Sequence, residues 1–218
     1  MANSKKIKTE EILIDEYHPF NPLDKSVIGK SVAEAAINAE ISPLPPMEFT
    51  GAGVYLIYYT GDFPLYKEIA QLNRNDQFLA PIYIGKAVPN GARKGGFSDN
   101  PNPGKVLYKR LLDHEKSINS AQNLDINDFK CRYLAIDDIW IPLAESLLID
   151  RFSPLWNLVV EGFGNHDPGI GRTNGKKPLW DLLHPGRPWA NNLNNPDLTL
   201  EQLEQRILEH LKTVYPKK

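Results

Sequence analysis

Six side chains between residues 55 and 157 are of types that can hold a phosphate, bind a metal ion and move a proton. An arginine can donate a fork of hydrogen bonds to phosphate oxygens, and a glutamate supplies the hard oxygen ligand that Mg²⁺ prefers. Histidine and tyrosine can accept or relay a proton. Together these groups suit hydrolysis of a phosphodiester, which needs an activated water and neutralisation of charge at phosphorus. The six are Tyr55, Tyr83, Arg110, His114, Glu145 and Asn157.

Each of these residues also has an ordinary structural explanation. Tyrosines in strands usually pack with a satisfied hydroxyl, and an arginine or histidine on a helix is usually solvated. Glu145 is the exception, because Ile141, Leu148 and Ile149 surround its face of the predicted helix. A carboxylate in such a position needs a partner, and a metal ion would supply one.

Three apolar runs predict the strands that carry or neighbour these residues. GVYLIYYTG (53 to 61) is typical of a buried strand that ends in a turn, PIYIG (81 to 85) of a short second strand and FKCRYLAI (129 to 136) of a third. The segment EEILIDEY (10 to 17) could be a strand or an arm.

Helical periodicity recurs between and after the strands. In the helix that follows the second strand, Arg110 and His114 lie four residues apart and therefore on one face. Asp137 or Asp138 can cap the next helix. Helices are predicted over 26 to 41, 65 to 74, 105 to 118, 138 to 152 and 198 to 215.

This order of elements predicts an α+β fold, with a small mixed and mainly antiparallel β-sheet flanked by helices. Loops rich in Gly, Pro and Asn are expected over 86 to 104 and over 153 to 190. We expect one domain, divided into an N-terminal extension (1–45), a core (46–160) and a C-terminal loop and helix (161–218).

Composition limits the classes of protein. The formal net charge of -2 argues against a protein that coats nucleic acid indiscriminately, but it permits a specific binder with a local basic surface. The single cysteine, Cys131, fits a reducing compartment, and no apolar run approaches the ~20 residues that a membrane-spanning helix needs. We therefore expect a cytoplasmic protein without a membrane partner.

The ordered set of motifs resembles the GIY-YIG nucleases. GVY (53 to 55) and YIG (83 to 85) match the name-giving strings, although Val54 stands where Ile is usual. An Arg and a His in the next helix, a Glu in the following one and the Asn of SPLWN (153 to 157) match the remaining motifs in order. The set covers about half of the chain.

A narrower resemblance follows from His114, which stands where many members of this class carry Tyr. In this respect the chain is similar to the short dimeric type II restriction endonucleases that cut CCGCGG. GARKGG (91 to 96) and HPGRPWA (184 to 190) strengthen that similarity.

The resemblance implies a division of roles. Glu145 would bind one Mg²⁺ per active site, for which Mn²⁺ could substitute, and Arg110 would hold the phosphate. Tyr55 and His114 compete for the role of general base, and we favour Tyr55 assisted by His114. Tyr83 and Asn157 would hydrogen-bond the phosphate or orient a neighbouring group, and Lys86 would add positive charge.

Double-stranded DNA is the implied substrate. Because a palindrome matches a protein of two-fold symmetry, a homodimer is also implied. Arginine in a glycine-flanked loop suits the reading of guanine, although solvated loop charge is an equally good explanation for any one basic residue. The candidate DNA contacts are Arg93, Lys94, Arg172, Lys176, Lys177 and Arg187, with Lys86 beside the site.

Three alternatives stay open from the sequence. The first is a homing or repair GIY-YIG enzyme, which usually carries a separate DNA-binding domain. The second is a DNA-binding module whose nuclease core is inactive, and the third is a protein with chance matches and no affinity for DNA. Digestion of plasmid DNA with Mg²⁺ and mapping of the ends would separate them.

Overall fold

A four-stranded antiparallel sheet forms the centre of the protein. The structure is a computed structural model that describes residues 21, 23–89, 103–167, 169 and 175–216. The strands are β1 (Ser42–Pro43), β2 (Gly53–Tyr59), β3 (Pro81–Ala87) and β4 (Phe129–Ala135), in the order β1-β4-β2-β3. All three junctions are antiparallel. The α+β fold and the three predicted strands are confirmed, while the predicted segment 10 to 17 lies outside the described residues.

The predicted helices are confirmed, with small shifts at their ends. Asp137 rather than Asp138 caps the turn that leads into the helix predicted over 138 to 152. Its carboxylate accepts a hydrogen bond from Ile139 N at 3.2 Å. Two short helices, α5 (Leu155–Leu158) and α6 (Leu179–Leu183), interrupt a region predicted as loop. The helices are α1 (Lys25–Asn38), α2 (Lys67–Asn73), α3 (Val106–Ser120), α4 (Ile141–Phe152), α5 (Leu155–Leu158), α6 (Leu179–Leu183) and α7 (Leu200–Val214).

Strand β2 is buried on both faces, which explains its unbroken apolar sequence. Tyr55 and Ile57 point into a cluster with buried residues of α3, α5, α6 and α7, whereas Val54 and Leu56 point into a second cluster with α1 and α4. Alternation along one strand therefore assigns the helices to two sides of the sheet. No helix in the described part of the chain is long and apolar enough to cross a membrane.

A buried hydrogen-bond network joins the C-terminal part of the chain to the sheet. Tyr66 Oη lies 2.6 Å from His184 Nε2 and accepts a hydrogen bond from Trp156 Nε1 at 2.8 Å. His184 Nδ1 lies 2.9 Å from Asn123 Oδ1, so Nδ1 carries the proton and Nε2 accepts from Tyr66. Burial lowers the pKa of His184 to about 3.

This shift predicts a loss of stability in mild acid. Below the ordinary histidine pKa of ~6.5 the unfolded chain binds a proton that folded His184 excludes, so stability is complete above ~6.5 and falls as the pH decreases towards the folded value. Between pH 7 and pH 5 we expect this histidine to reduce the free energy of unfolding by about 2 kcal/mol. Urea unfolding at both pH values measures the change.

His184→Gln is the matched variant, because it keeps a polar side chain at the buried position but does not titrate. We expect the difference in unfolding free energy between pH 7 and pH 5 to shrink by about 2 kcal/mol in this variant. An unchanged difference would contradict the assignment of the titration to His184.

Candidate active site

A cavity of about 570 Å³ lies beside β3 and α3. Five of the seven candidates over 55 to 157 line it, which are Tyr55, Tyr83, Lys86, Arg110 and Glu145. His114 and Asn157 do not line it: His114 contacts Tyr55 and Tyr83, which do, and Asn157 hydrogen-bonds to β3, the strand that carries Tyr83 and Lys86. Residues distant in the sequence therefore meet at one site, contributed by two strands and two helices.

Tyr55 and His114 form a buried pair at this site. Tyr55 Oη lies 2.6 Å from His114 Nε2, and the two residues are 0% and 1% exposed. The His114 ring stacks on Phe163, with 4.4 Å between ring centroids, and meets the Tyr83 ring edge-on at 5.2 Å. Helical spacing predicted that His114 and Arg110 lie on one face of α3. In the structure His114 on this face is buried, whereas Arg110 is only half-buried.

Burial keeps both members of the pair uncharged near neutral pH. It raises the pKa of the Tyr55 hydroxyl well above its ordinary range, with a further rise from Tyr83 and an opposing effect of the Arg110 guanidinium. Burial also lowers the pKa of His114 well below its ordinary value, and the nearby charge of Arg110 adds to this. The Tyr55 hydroxyl therefore donates its hydrogen bond to a neutral imidazole.

The glycines of the two name-giving strings make room for this arrangement. Gly85 lies opposite Tyr55 in the β2–β3 register, and a Cβ at this position would come within 2.3 Å of Tyr55 Oη. At Gly53 a Cβ would come within 2.0 Å of the Leu134 carbonyl oxygen on β4. Any larger residue would displace either the phenol or the neighbouring strand.

Arg110 extends from α3 towards the loop that follows α5. Its Nη2 donates to the Gly164 carbonyl at 2.8 Å, and its Nη1 contacts His166 Nε2 at the cavity. The residue as a whole is only half-buried. A phosphate in the cavity could therefore reach it.

Glu145 on α4 pairs with Lys86 on β3, with 2.6 Å between Oε2 and Nζ. The Glu145 side chain is 19% exposed and that of Lys86 is 38% exposed. The sequence indicated that this carboxylate needs a partner, and in the structure Lys86 provides one.

The donor set at Glu145 is compatible with Mg²⁺. The described residues contain no group of three or more His, Cys, Asp or Glu that could hold a metal ion. Mg²⁺ often takes only one or two carboxylates, together with water and substrate phosphate. One carboxylate that lines a cavity fits this pattern.

Asn157 lies on α5 and hydrogen-bonds to the outer side of β3. Its Oδ1 accepts from Ile84 N at 2.8 Å, and its Nδ2 donates to Ile84 O at 2.7 Å. Among the described residues β3 is an edge strand, so no strand of this part of the chain lies beside these backbone groups on that side. Asn157 thus holds the strand that carries Tyr83 and Lys86.

The candidate DNA contacts have different outcomes. Arg93, Lys94 and Arg172 lie outside the described residues. Lys176 is exposed and pairs with Asp197, and Lys177 is half-buried.

The structure does not leave Arg187 available for the predicted contact with DNA. Arg187 is 3% exposed and pairs with the buried carboxylate of Asp181. The sequence indicated a solvated basic loop residue, but in the structure its guanidinium is buried against Asp181 and three backbone carbonyls.

Three polar residues of the cavity were missed by sequence reasoning, namely Lys109, Asp113 and His166. Helical spacing could have found Asp113, which follows Arg110 by three residues on α3, and Lys109 lies four residues before Asp113. His166 carries no comparable signal beyond being a histidine in the loop after Asn157.

The contacts of Asn157 predict a local effect on β3. Asn157→Ala leaves the Ile84 amide and carbonyl without partners, so we expect faster hydrogen exchange at the Ile84 amide and a loss of about 1 to 3 kcal/mol in unfolding free energy. Asn127→Ala is the control, because Asn127 is exposed and its side chain bonds only the nearby Asp125. Unchanged Ile84 exchange in Asn157→Ala would contradict this role.

Comparison with known proteins agrees with the geometry. A family model described as the Eco29kI GIY-YIG domain matches residues 47–211, which is more than half of the chain. No curated protein matches the chain. The matched range contains every residue that lines the cavity beside β3. The chain belongs to the Eco29kI GIY-YIG domain family and is a GIY-YIG restriction-type nuclease.

Proposed function

We propose that the protein is a type II restriction endonuclease that uses Mg²⁺ to hydrolyse phosphodiester bonds in double-stranded DNA. We also propose that it acts in the cytoplasm. The proposed target is a short GC-rich palindrome, CCGCGG. This target is proposed because the chain resembles the enzymes that carry a histidine at the motif position of His114. The observation that carries the proposal is the buried hydrogen bond between Tyr55 and His114, because Tyr55 lines one cavity together with Arg110 and Glu145.

The Tyr55–His114 pair supports a concerted proton transfer. Burial disfavours both a tyrosinate and an imidazolium, so neither ion should persist in the resting site. We infer that Tyr55 Oη accepts a proton from the attacking water while His114 Nε2 accepts the phenol proton. Tyr55 is then the group that contacts the water, and His114 assists it.

The negative charge of the phosphate would be neutralised by cationic groups that line the cavity and by the bound metal ion. Arg110 would hold two phosphate oxygens through its fork of donors, and Tyr83 would donate a hydrogen bond. Glu145 would hold a bound Mg²⁺, which supplies Lewis-acid stabilisation of the extra negative charge. Lys86 would remain near the phosphate, and Asn157 would keep β3 in place.

Cleavage of both strands of a palindrome requires two active sites, so we propose a homodimer. Lys176 and Lys177 would contact the DNA backbone, whereas base reading is assigned to the segment with Arg93 and Lys94 and to Arg172. Analytical ultracentrifugation with and without DNA would test the oligomeric state.

An inactive DNA-binding module is the second candidate, and the cavity counts against it. A module without catalysis has no need for a buried Tyr–His pair next to an arginine and a carboxylate. The deciding experiment is digestion of DNA that contains a single CCGCGG site, with and without Mg²⁺. Cleavage confined to that site supports the proposal, and the absence of cleavage under all metal conditions would refute it.

Glu145→Ala should abolish Mg²⁺-dependent cleavage while sequence-specific binding remains measurable. The substitution removes the proposed metal ligand but no proposed DNA contact. Single-turnover cleavage and binding titrations in Ca²⁺ measure the two properties separately. Glu34→Ala on α1 is the control, because Glu34 is exposed and lies outside the cavity.

Retention of Mg²⁺-dependent cutting by Glu145→Ala would overturn the metal-ligand assignment. A parallel loss in Glu34→Ala would instead indicate a general effect of removing an acidic residue. The two variants therefore separate a site-specific loss from a non-specific one.

Arg93→Ala should relax discrimination at one G·C pair of the target. Removal of a base-reading arginine leaves a guanine edge unmatched, at a cost of about 1 to 3 kcal/mol at that position. A backbone contact would instead weaken all sequences alike and reduce the salt dependence. Competition binding with single-base variants of the site measures this, and an unchanged ranking of sites would make the 91 to 96 loop a backbone clamp.

A further inference from the structure

We propose that Arg187, together with Asp181, is a positioning residue that sets the catalytic geometry of Arg110 and His114 through the loop of residues 162 to 166. This inference rests on the proposed function only for its kinetic test. Its evidence is a chain of buried contacts that leads from the HPGRPWA segment into the active site.

All five N–H donors of Arg187 are used within the protein. Nε donates to Asp181 Oδ1 at 2.6 Å, and Nη2 donates to Asp181 Oδ2 and, at 3.0 Å, to the Gly162 carbonyl. Nη1 donates to the carbonyls of Phe163 and Asn165 at 3.0 and 3.1 Å. No donor remains for a DNA phosphate or base.

Two aromatic rings lie close to the guanidinium of Arg187. Its carbon lies 4.7 Å from the ring centroid of Trp180 and 4.6 Å from that of Trp189. Arg187 and Asp181 are each 3% exposed. Such a planar group, enclosed and fully hydrogen-bonded, fixes the positions of the carbonyls that it binds.

The loop that Arg187 holds carries two groups of the active site. The carbonyls of residues 162, 163 and 165 face Arg187, while the carbonyl between them, Gly164 O, accepts from Arg110 Nη2 at 2.8 Å. The Phe163 ring stacks on His114 at 4.4 Å. One short loop therefore transmits the position of Arg187 to both the phosphate-binding arginine and the proton-accepting histidine.

The space around Gly164 shows how closely the loop approaches the site. A Cβ on Gly164 would lie 2.6 Å from Tyr83 Oη and 2.9 Å from Arg110 Nη2. A small displacement of this loop would therefore move Arg110 or Tyr83. Misplacement of a catalytic group by about 1 Å can reduce a rate by about 10²-fold.

Arg187→Lys is the principal test, because it keeps the charge but cannot reproduce the fork. With DNA already bound, we expect the single-turnover cleavage rate to fall by about tenfold or more, while the Kd for the specific site changes by less than about threefold. We also expect the dependence of Kd on salt to stay unchanged, since no phosphate contact is lost. A raised Kd with a reduced salt slope and an unchanged rate would overturn the proposal in favour of a DNA contact.

Two further variants guard against a purely structural explanation. Asp181→Asn keeps the guanidinium and removes its counter-ion, and it should show the same selective loss of rate, which carries the test if Arg187→Lys does not fold. Asn73→Ala removes buried hydrogen bonds to Tyr59 O, Ala80 O and Ala80 N outside the cavity. It should lower stability and leave the cleavage rate within about twofold of wild type at a temperature where it is folded. An equal loss of rate in Asn73→Ala would overturn the proposal.

A double-mutant cycle with Arg110→Lys tests whether Arg187 acts through Arg110. If it does, Arg187→Lys should reduce the rate much less in the Arg110→Lys background than in the wild type. Losses that multiply independently would overturn this route.

The last measurement needs no cleavage activity. Phe163 stacked on His114 should shift the His114 ring-proton resonances in the NMR spectrum of the free protein, and Arg187→Lys should reduce that ring-current shift. A wild-type protein that fails to cut DNA would refute the proposed function, whereas an unchanged His114 shift in Arg187→Lys would refute the positioning role.

Discussion

The hydrogen bond between Tyr55 and His114 is the contact on which the geometry of the site depends. Its two polar atoms lie 2.6 Å apart in side chains that are almost completely excluded from solvent. A buried hydroxyl without a partner would be costly, so α3 must place His114 over β2 at one position. The same requirement excludes a side chain at Gly85, since the phenol occupies the space where its Cβ would lie.

The remaining active-site groups are fixed relative to this pair from outside the central strands. Asn157 bonds the outer backbone of β3 at Ile84, and Arg187 bonds the loop that carries Phe163 and Gly164. Both residues satisfy backbone groups that no strand or helix partner covers. The C-terminal part of the chain thus contributes to the site by holding backbone in place.

Periodicity was sufficient to predict most of the fold, because strand alternation and helical spacing are local properties. That Tyr55 and Arg110 meet at one site could be inferred from motif order. The burial of Arg187 could not, since its partners Gly162 and Phe163 lie more than twenty positions earlier in the chain and a basic residue in a Gly- and Pro-rich loop is usually solvated. The pairing of Lys86 with Glu145 could not be predicted either, because 59 positions separate the two residues.

The charges of the site are arranged by depth, and this arrangement suits an incoming polyanion. The neutral Tyr55–His114 pair occupies the buried end, where an ion would be costly. Arg110, Lys86 and Glu145 lie where solvent still reaches, so their contacts can exchange at modest cost. A phosphate that approaches this rim can replace internal acceptors of the two cations while the buried pair keeps its geometry. Under the proposed function, this division between a buried neutral pair and an exchangeable charged rim would let the site bind a charged substrate without reorganising the groups proposed to move the proton.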